Sequence, residues 1–185
     1  DYEGEVDYVN TLLRENSNNA KTLLDMGCGT GAHAEIFCDK GYKVHGIDLS
    51  EDMLKTAETR RKGKEEKLTF SHSSIQNLTL NKKFDAVVSL FHVMSYQNSN
   101  TELIKAFDVA RDHVKEGGIF IFDFWYGPGV ITDKPTIRKK EIENDFLKIT
   151  RISNPILFPN KNIVDVVFNV EIYDKIGSNL MTMDE

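Results

Sequence analysis

Leu23-Leu24-Asp25-Met26-Gly27-Cys28-Gly29-Thr30-Gly31, followed 17 residues after its last glycine by Asp48, decides the fold of this chain. The apolar run ending at Met26 reads as a buried strand, the glycines as a tight loop, and the residues after Gly31 as a helix. A second strand, Lys43 to Asp48, then ends in an acid. An α/β sheet builds a nucleoside pocket in this order, at the carboxyl ends of its strands. The glycines let the loop turn sharply and let a ligand reach bare backbone. An acid at the tip of the second strand accepts hydrogen bonds from both hydroxyls of a ribose, so a ribose-containing ligand is expected.

Glycine spacing narrows the choice. A dinucleotide site usually carries G-x-G-x-x-G, with its third glycine inside the helix and a pyrophosphate over the helix N-terminus. Here the spacing is Gly27-x-Gly29-x-Gly31, with Asp25 two residues upstream and Ala32, His33 and Ala34 following. This D-x-G-x-G-x-G form resembles motif I of the class I S-adenosylmethionine-dependent methyltransferases. The resemblance implies that Asp25, Gly27, Cys28, Gly29 and Gly31 form the cofactor loop, lying against the methionine and ribose portions. His33, whose commoner use at a helix start is capping, is placed in the same site. A nicotinamide-dependent oxidoreductase is the alternative that this spacing disfavours.

The rest of the chain follows the same plan. Ser50 is the expected N-cap of a helix running from Glu51 to Ala57. The I-D-x-S-x-x-M-L phrase, Ile47 to Leu54, resembles the family's second motif. It implies Asp48 on the ribose, with Leu49 and Met53 flanking adenine. Leu68 to Ile75, Phe84 to Leu90 and Gly117 to Asp123 are short apolar or β-branched runs, as buried strands should be. The family's third strand usually ends Gly-Asp. This chain has Ser73-Ser74, which leaves adenine recognition to the Ser74 oxygen and the Ile75 backbone, with Leu90 after the fourth strand. The expected fold is a Rossmann-like class I sheet of order 3-2-1-4-5, with an antiparallel β insertion after strand five.

Around the cleft, three phrases resemble N-methyltransferases that act on nucleotide-linked amino sugars. They are Asp1-Tyr2-x-x-Glu5, Gly29-Thr30-Gly31-x-His33, and Asp123-Phe124-Trp125-Tyr126-Gly127-Pro128. The resemblance implies a small-molecule amine acceptor, with Tyr2, Trp125 and Tyr126 as substrate contacts. The histidine suspected as those enzymes' base aligns with Tyr96 here, and His92 lies four residues earlier. Tyr96 and His92 are therefore the candidate catalytic groups. Each also has an ordinary structural use, as a packed aromatic or a hydrogen-bonded core histidine. Trp125 and Tyr126 offer flat faces to a sugar, a base or a sulfonium, and covering the sheet edge is their ordinary structural use.

Composition limits the partners. The chain has 185 residues, 40% of them hydrophobic and 28% charged, and a formal net charge of −6. That is ordinary for one folded domain, and the negative charge argues against a nucleic-acid backbone as substrate. No apolar run reaches the roughly 18 residues that a membrane span requires. The opening at Asp1 carries no signal-peptide pattern, so a cytoplasmic enzyme is expected. Cys28 and Cys38 lack metal-ligand spacing and read as reduced, packed thiols; no metal is expected.

Residues 3–16 are expected to form a helix facing the sheet with Val6, Val9, Leu12 and Leu13. Ser99 and Glu102 are the capping box of another, whose face carries Leu103, Ile104, Phe107 and Val114 and which Gly117 ends. Residues 1–130 are expected to be the cofactor domain. Residues 131–185 are expected to be an antiparallel extension over the active site and a homodimer surface. Its strands are predicted over 136–143, 146–153 and 162–173. No candidate appears for the last core strands, so the chain is expected to be a fragment or to lack them, with an exposed apolar edge beside strand five. A non-catalytic nucleoside-binding module remains an alternative at this point.

Overall fold

The computed structural model describes residues 1–16, 19–177 and 179–184. It divides into two compact units, Asp1–Phe124 and Trp125–Glu185. In the first, β1 (Thr22–Met26), β2 (Lys43–Asp48), β3 (Leu68–His72), β4 (Phe84–Ser89) and β5 (Val114–Phe122) form a parallel sheet. Their order is β3-β2-β1-β4-β5, as predicted. Helices α1 (Tyr2–Asn16), α2 (Ala32–Asp39), α3 (Glu51–Arg60) and α4 (Asn100–His113) complete the unit.

The two-residue period of β1 feeds two cores. Leu23 packs with Val6, Val9, Leu13 and Phe37, whereas Leu24 and Met26 pack with Ile47, Val87, Ala106 and Ala110. A strand covered on both faces is apolar nearly throughout, which is why this run was legible. The helix starts also follow expectation. Ser50 Oγ accepts the Met53 N–H at 3.3 Å, and Ser99 with Glu102 forms a reciprocal capping box.

Asp85 ties β4 to its neighbours. Its Oδ2 accepts the N–H groups of Lys21 at 2.9 Å and Thr22 at 2.8 Å and the Thr22 hydroxyl at 2.7 Å. Its Oδ1 accepts from Lys115 Nζ at 2.7 Å. Burial pushes this carboxyl up, but the Lys115, Lys21 and Thr22 donors outweigh it and hold it well below the usual carboxylate range.

Gly117 does not cap α4. The helix ends at His113, Val114 is extended, and Gly117 (φ 74°) lies within β5. There the pairing jumps from Phe84↔Val114 to Ala86↔Ile119, a bulge that a left-handed glycine accommodates. The inward face of α4 is Ala106, Ala110 and His113, while Ile104 is 60% exposed. His113 Nδ1 donates to the Val109 carbonyl and Nε2 accepts the Leu80 N–H at 3.0 Å, so this histidine is structural. β5 is the outer strand, and Ile119 to Phe122 along it are half-buried.

The second unit holds a short helix α5 (Gly127–Thr132) and strands β6 (Arg138–Glu143), β7 (Leu147–Phe158), β8 (Ile163–Asp174) and β9 (Asn179–Asp184). They pair antiparallel in sequence order. Two features depart from expectation. β7 continues through Pro155, because β6 begins opposite Ser153 and leaves the rest of β7 paired only with β8, where proline is tolerated. β9 is a strand that its own short sequence did not announce; it forms by pairing with β8. No helix among the described residues is long and apolar enough to cross a membrane.

Candidate active site

The glycine loop is pinned to β2. The N–H groups of Gly27 and Cys28 both donate to the Ile47 carbonyl, at 2.9 and 2.8 Å. Gly27 has φ 86°, and a Cβ there would lie 2.5 Å from Val93 Cγ1. Gly29 has φ 53° and nothing within 4 Å of that position, so its outer side is open to a ligand. Asp48 Oδ2 accepts the Gly29 N–H at 2.7 Å and Oδ1 the Ser50 N–H at 2.8 Å. A carboxylate has about four acceptor sites. One on each oxygen is thus left, the disposition that a vicinal diol requires.

Beneath the loop, Asp25 is buried, and Oδ2 has no hydrogen-bond partner among the described residues. Burial, and then the Asp48 charge, raise its pKa to about 7. Burial, followed by the Asp25 and Asp48 charges, pushes the Cys28 thiol far up, so this cysteine is a protonated packing group and not a nucleophile.

Residues following β2 and β3 close the next part of the cleft. The Ser73 N–H donates to the Asp48 carbonyl at 3.0 Å, and the His72 ring bonds the Leu49 carbonyl at 2.9 Å. Ser74 Oγ is screened from solvent without a partner among the described residues. Ile75 is buried at the start of a single 3₁₀ turn, Ile75–Asn77. Leu49 and Met53 stand 70% and 47% exposed next to Asp48, apolar surface that a flat ring would cover. Leu90 is buried after β4.

The opposite rim runs from α1 to β5. Glu5 Oε2 bonds His33 Nε2 at 2.7 Å, and chiefly that bond holds the Glu5 carboxyl below its usual value. The Tyr2 ring meets the His33 ring edge-on at 4.9 Å and lies 6.3 Å from Phe91. Phe91 stacks on His92 at 5.9 Å. Asp123 accepts the N–H of Phe91 at 3.2 Å and of His92 at 2.7 Å. Sequence reasoning noted Asp123 only as the first letter of a phrase; an acid ending the strand beside β4 was the available signal. Tyr96 stands 77% exposed at the end of the 3₁₀ turn Val93–Tyr96. Trp125 and Tyr126 belong to the second unit, 44% and 67% exposed. There Trp125 borders a cavity of about 240 Å³ with Val130, Lys134 and Arg138.

Residues 23–118 match the methyltransferase domain family. The chain belongs to that family. It is 30% identical over 170 residues to a dTDP-3-amino-3,4,6-trideoxy-alpha-D-glucopyranose N,N-dimethyltransferase of Streptomyces venezuelae, covering 92% of this chain and 70% of that protein. An S-adenosylmethionine-dependent methyltransferase from Clostridium acetobutylicum ATCC 824 superposes with a TM-score of 0.80 at 26% identity, over 100% of this chain and 72% of its own. The sugar N-methyltransferase KedS8 from Streptoalloteichus sp ATCC 53650 shares the fold with a TM-score of 0.86 at 24% identity, over 100% and 72%. Against other curated relatives the chain spans 58%, 50% and 52% of their length.

S-adenosyl-L-methionine is therefore the cofactor, and the nicotinamide alternative loses its support. The residues present fit it: a carboxylate at Asp48 with one acceptor site left on each oxygen, open space over Gly29, and the Ser74 oxygen, without a partner among the described residues.

Proposed function

We propose that this protein methylates the amino nitrogen of a nucleotide-linked amino sugar. The observation that carries the cofactor half is Asp48, whose two oxygens each hold one loop N–H and keep one acceptor site for the ribose. The acceptor half is supported by the 30% identical amino-sugar dimethyltransferase and by the resemblance of the Tyr2, His33 and Trp125 phrases to amino-sugar N-methyltransferases.

In this reading Gly27, Cys28, Gly29 and Gly31 present backbone to the methionine and ribose portions, with Asp25 and His33 supporting the loop. Leu49 and Met53 flank the adenine, while Ser74, Ile75 and Leu90 complete its pocket. Tyr2 is the acceptor contact proposed in the first unit, and Trp125 and Tyr126 are those proposed in the second. When bound, the cofactor supplies a methyl group on a positively charged sulfur. The protein's task is to hold the acceptor nitrogen in line with that methyl and to keep water out. An acceptor that arrives as an ammonium must first lose a proton, for which His92 and Tyr96 are the candidate groups. The antiparallel sheet of the second unit is the surface assigned to self-association.

Incubation with S-adenosylmethionine and a panel of dTDP-amino sugars, followed by mass spectrometry, tests the reading. Mass gains of one or two methyl groups on the sugar amine are expected. Cofactor binding without transfer to any amine favours the non-catalytic module instead.

A further inference from the structure

Phe91 and His92 are consecutive, neither is glycine, and both have φ 64°. Bulky residues rarely adopt this left-handed conformation. Where it persists, surrounding structure over-determines it, and such residues gather at functional sites. The over-determining group is Asp123. Its Oδ2 accepts the Phe91 N–H at 3.2 Å and its Oδ1 the His92 N–H at 2.7 Å. Asp123 is itself fixed to the end of β4, its own N–H donating to the Ser89 carbonyl at 3.3 Å.

The clamp also brings a carboxylate near the imidazole. His92 Nδ1 is screened from solvent and lies 3.5 Å from Asp123 Oδ2, and the Phe91 ring stacks on the imidazole at 5.9 Å. A carboxylate on the Nδ1 side favours the proton there and so the tautomer in which Nε2 carries none. We propose that Asp123 is a positioning residue that holds His92 as the proton acceptor for the substrate amine.

The proposal rests on the amine-methylation reading. An N–H bond of the substrate ammonium breaks, and its electron pair stays on nitrogen, leaving the neutral amine as the nucleophile. A bond from His92 Nε2 to that proton forms, and the resulting imidazolium sits beside the Asp123 carboxylate. Tyr96, 77% exposed, is then left outside the proton transfer.

The test uses the full chain labelled with ¹⁵N-histidine, as wild type, Asp123→Asn and His92→Gln. At mildly alkaline pH, NMR of wild-type His92 should show the Nδ1–H tautomer, lost in Asp123→Asn. An Nε2–H tautomer in wild type overturns the proposal, as does one unchanged by the substitution. In turnover with a dTDP-amino sugar, each variant should lower kcat about 10²-fold. S-adenosylhomocysteine affinity should change by less than about twofold, and the double variant should be no slower than the worse single one. Losses that multiply would contradict a shared role. A wild type with the expected tautomer that methylates no amine overturns the acceptor reading, not the pair. The wild-type tautomer decides the proposal even where Asp123→Asn does not fold.

Discussion

Asp48 accepts the Gly29 N–H at 2.7 Å, so one contact fixes both the acid proposed for the ribose and the glycine whose outer side is open. Ser50 occupies the other oxygen at 2.8 Å and also starts α3 by accepting from Met53. The loop, the second strand and the third helix are therefore set from a single carboxylate.

Gly27 and Gly29 should separate by experiment. A Cβ on Gly27 or Gly31 meets Val93 or the Phe70 ring at 2.5 or 2.9 Å, on a left-handed backbone. Gly27→Ala should cost about 1–3 kcal/mol of stability, seen in urea unfolding. Gly29→Ala, in open space at φ 53°, should cost about 1 kcal/mol, yet weaken S-adenosylhomocysteine at least about tenfold. Equal stability losses in the two variants would contradict this division.

Asp25 should make stability depend on pH. Burial and the Asp48 charge place it near 7 in the folded chain, against about 4 unfolded. The folded state holds the extra proton between those values. Its contribution is full below about pH 4 and is lost as pH rises through about 7. Asp25→Asn should therefore be more stable than wild type at pH 8, by about 2–4 kcal/mol, with the gap closing toward pH 4. A gap that stays constant over that range would show that Asp25 does not titrate this way.

Asp85 should behave in the opposite sense. Its carboxyl is depressed against the effect of burial by the Lys115, Lys21 and Thr22 donors. Its stabilisation is present above about pH 4 and is lost as pH falls through the lower folded value. Asp85→Ala should cost about 1–3 kcal/mol at pH 7 and less at pH 3. Unfolding curves at the two pH values check this.

The assignment of Trp125 to the acceptor carries its own test. Trp125→Ala should lower kcat/KM for an amino-sugar nucleotide about 3- to 30-fold, the range expected for losing an aromatic face. S-adenosylhomocysteine affinity should stay the same. A loss of cofactor binding would move Trp125 out of the acceptor role.

The sheet order was legible because β1 and β4 carry apolar runs covered on both faces, and the turn residues and motifs between the strands set their sequence. The Ser50 and Ser99 caps were legible because capping is local chemistry. Gly117 was misread because a left-handed glycine suits a helix end and a bulge equally, and only the β4 register distinguishes them. β9 escaped notice because six residues without a partner carry no strand signal; β8 supplies the partner. The Asp123 clamp escaped for the same reason, since Phe91 and Asp123 are brought together by two neighbouring strands and by nothing local. The glycine loop and Asp48 were plain because their function depends on spacing along the chain.

The most direct test of the account is a calorimetric titration of S-adenosylhomocysteine into the wild-type chain and its Asp48→Ala variant. Saturable wild-type binding, weakened in the variant by about 1–3 kcal/mol, is the expected result. Equal affinity in the two proteins, or no binding by a folded wild type, would contradict the claim that Asp48 grips the ribose of this cofactor.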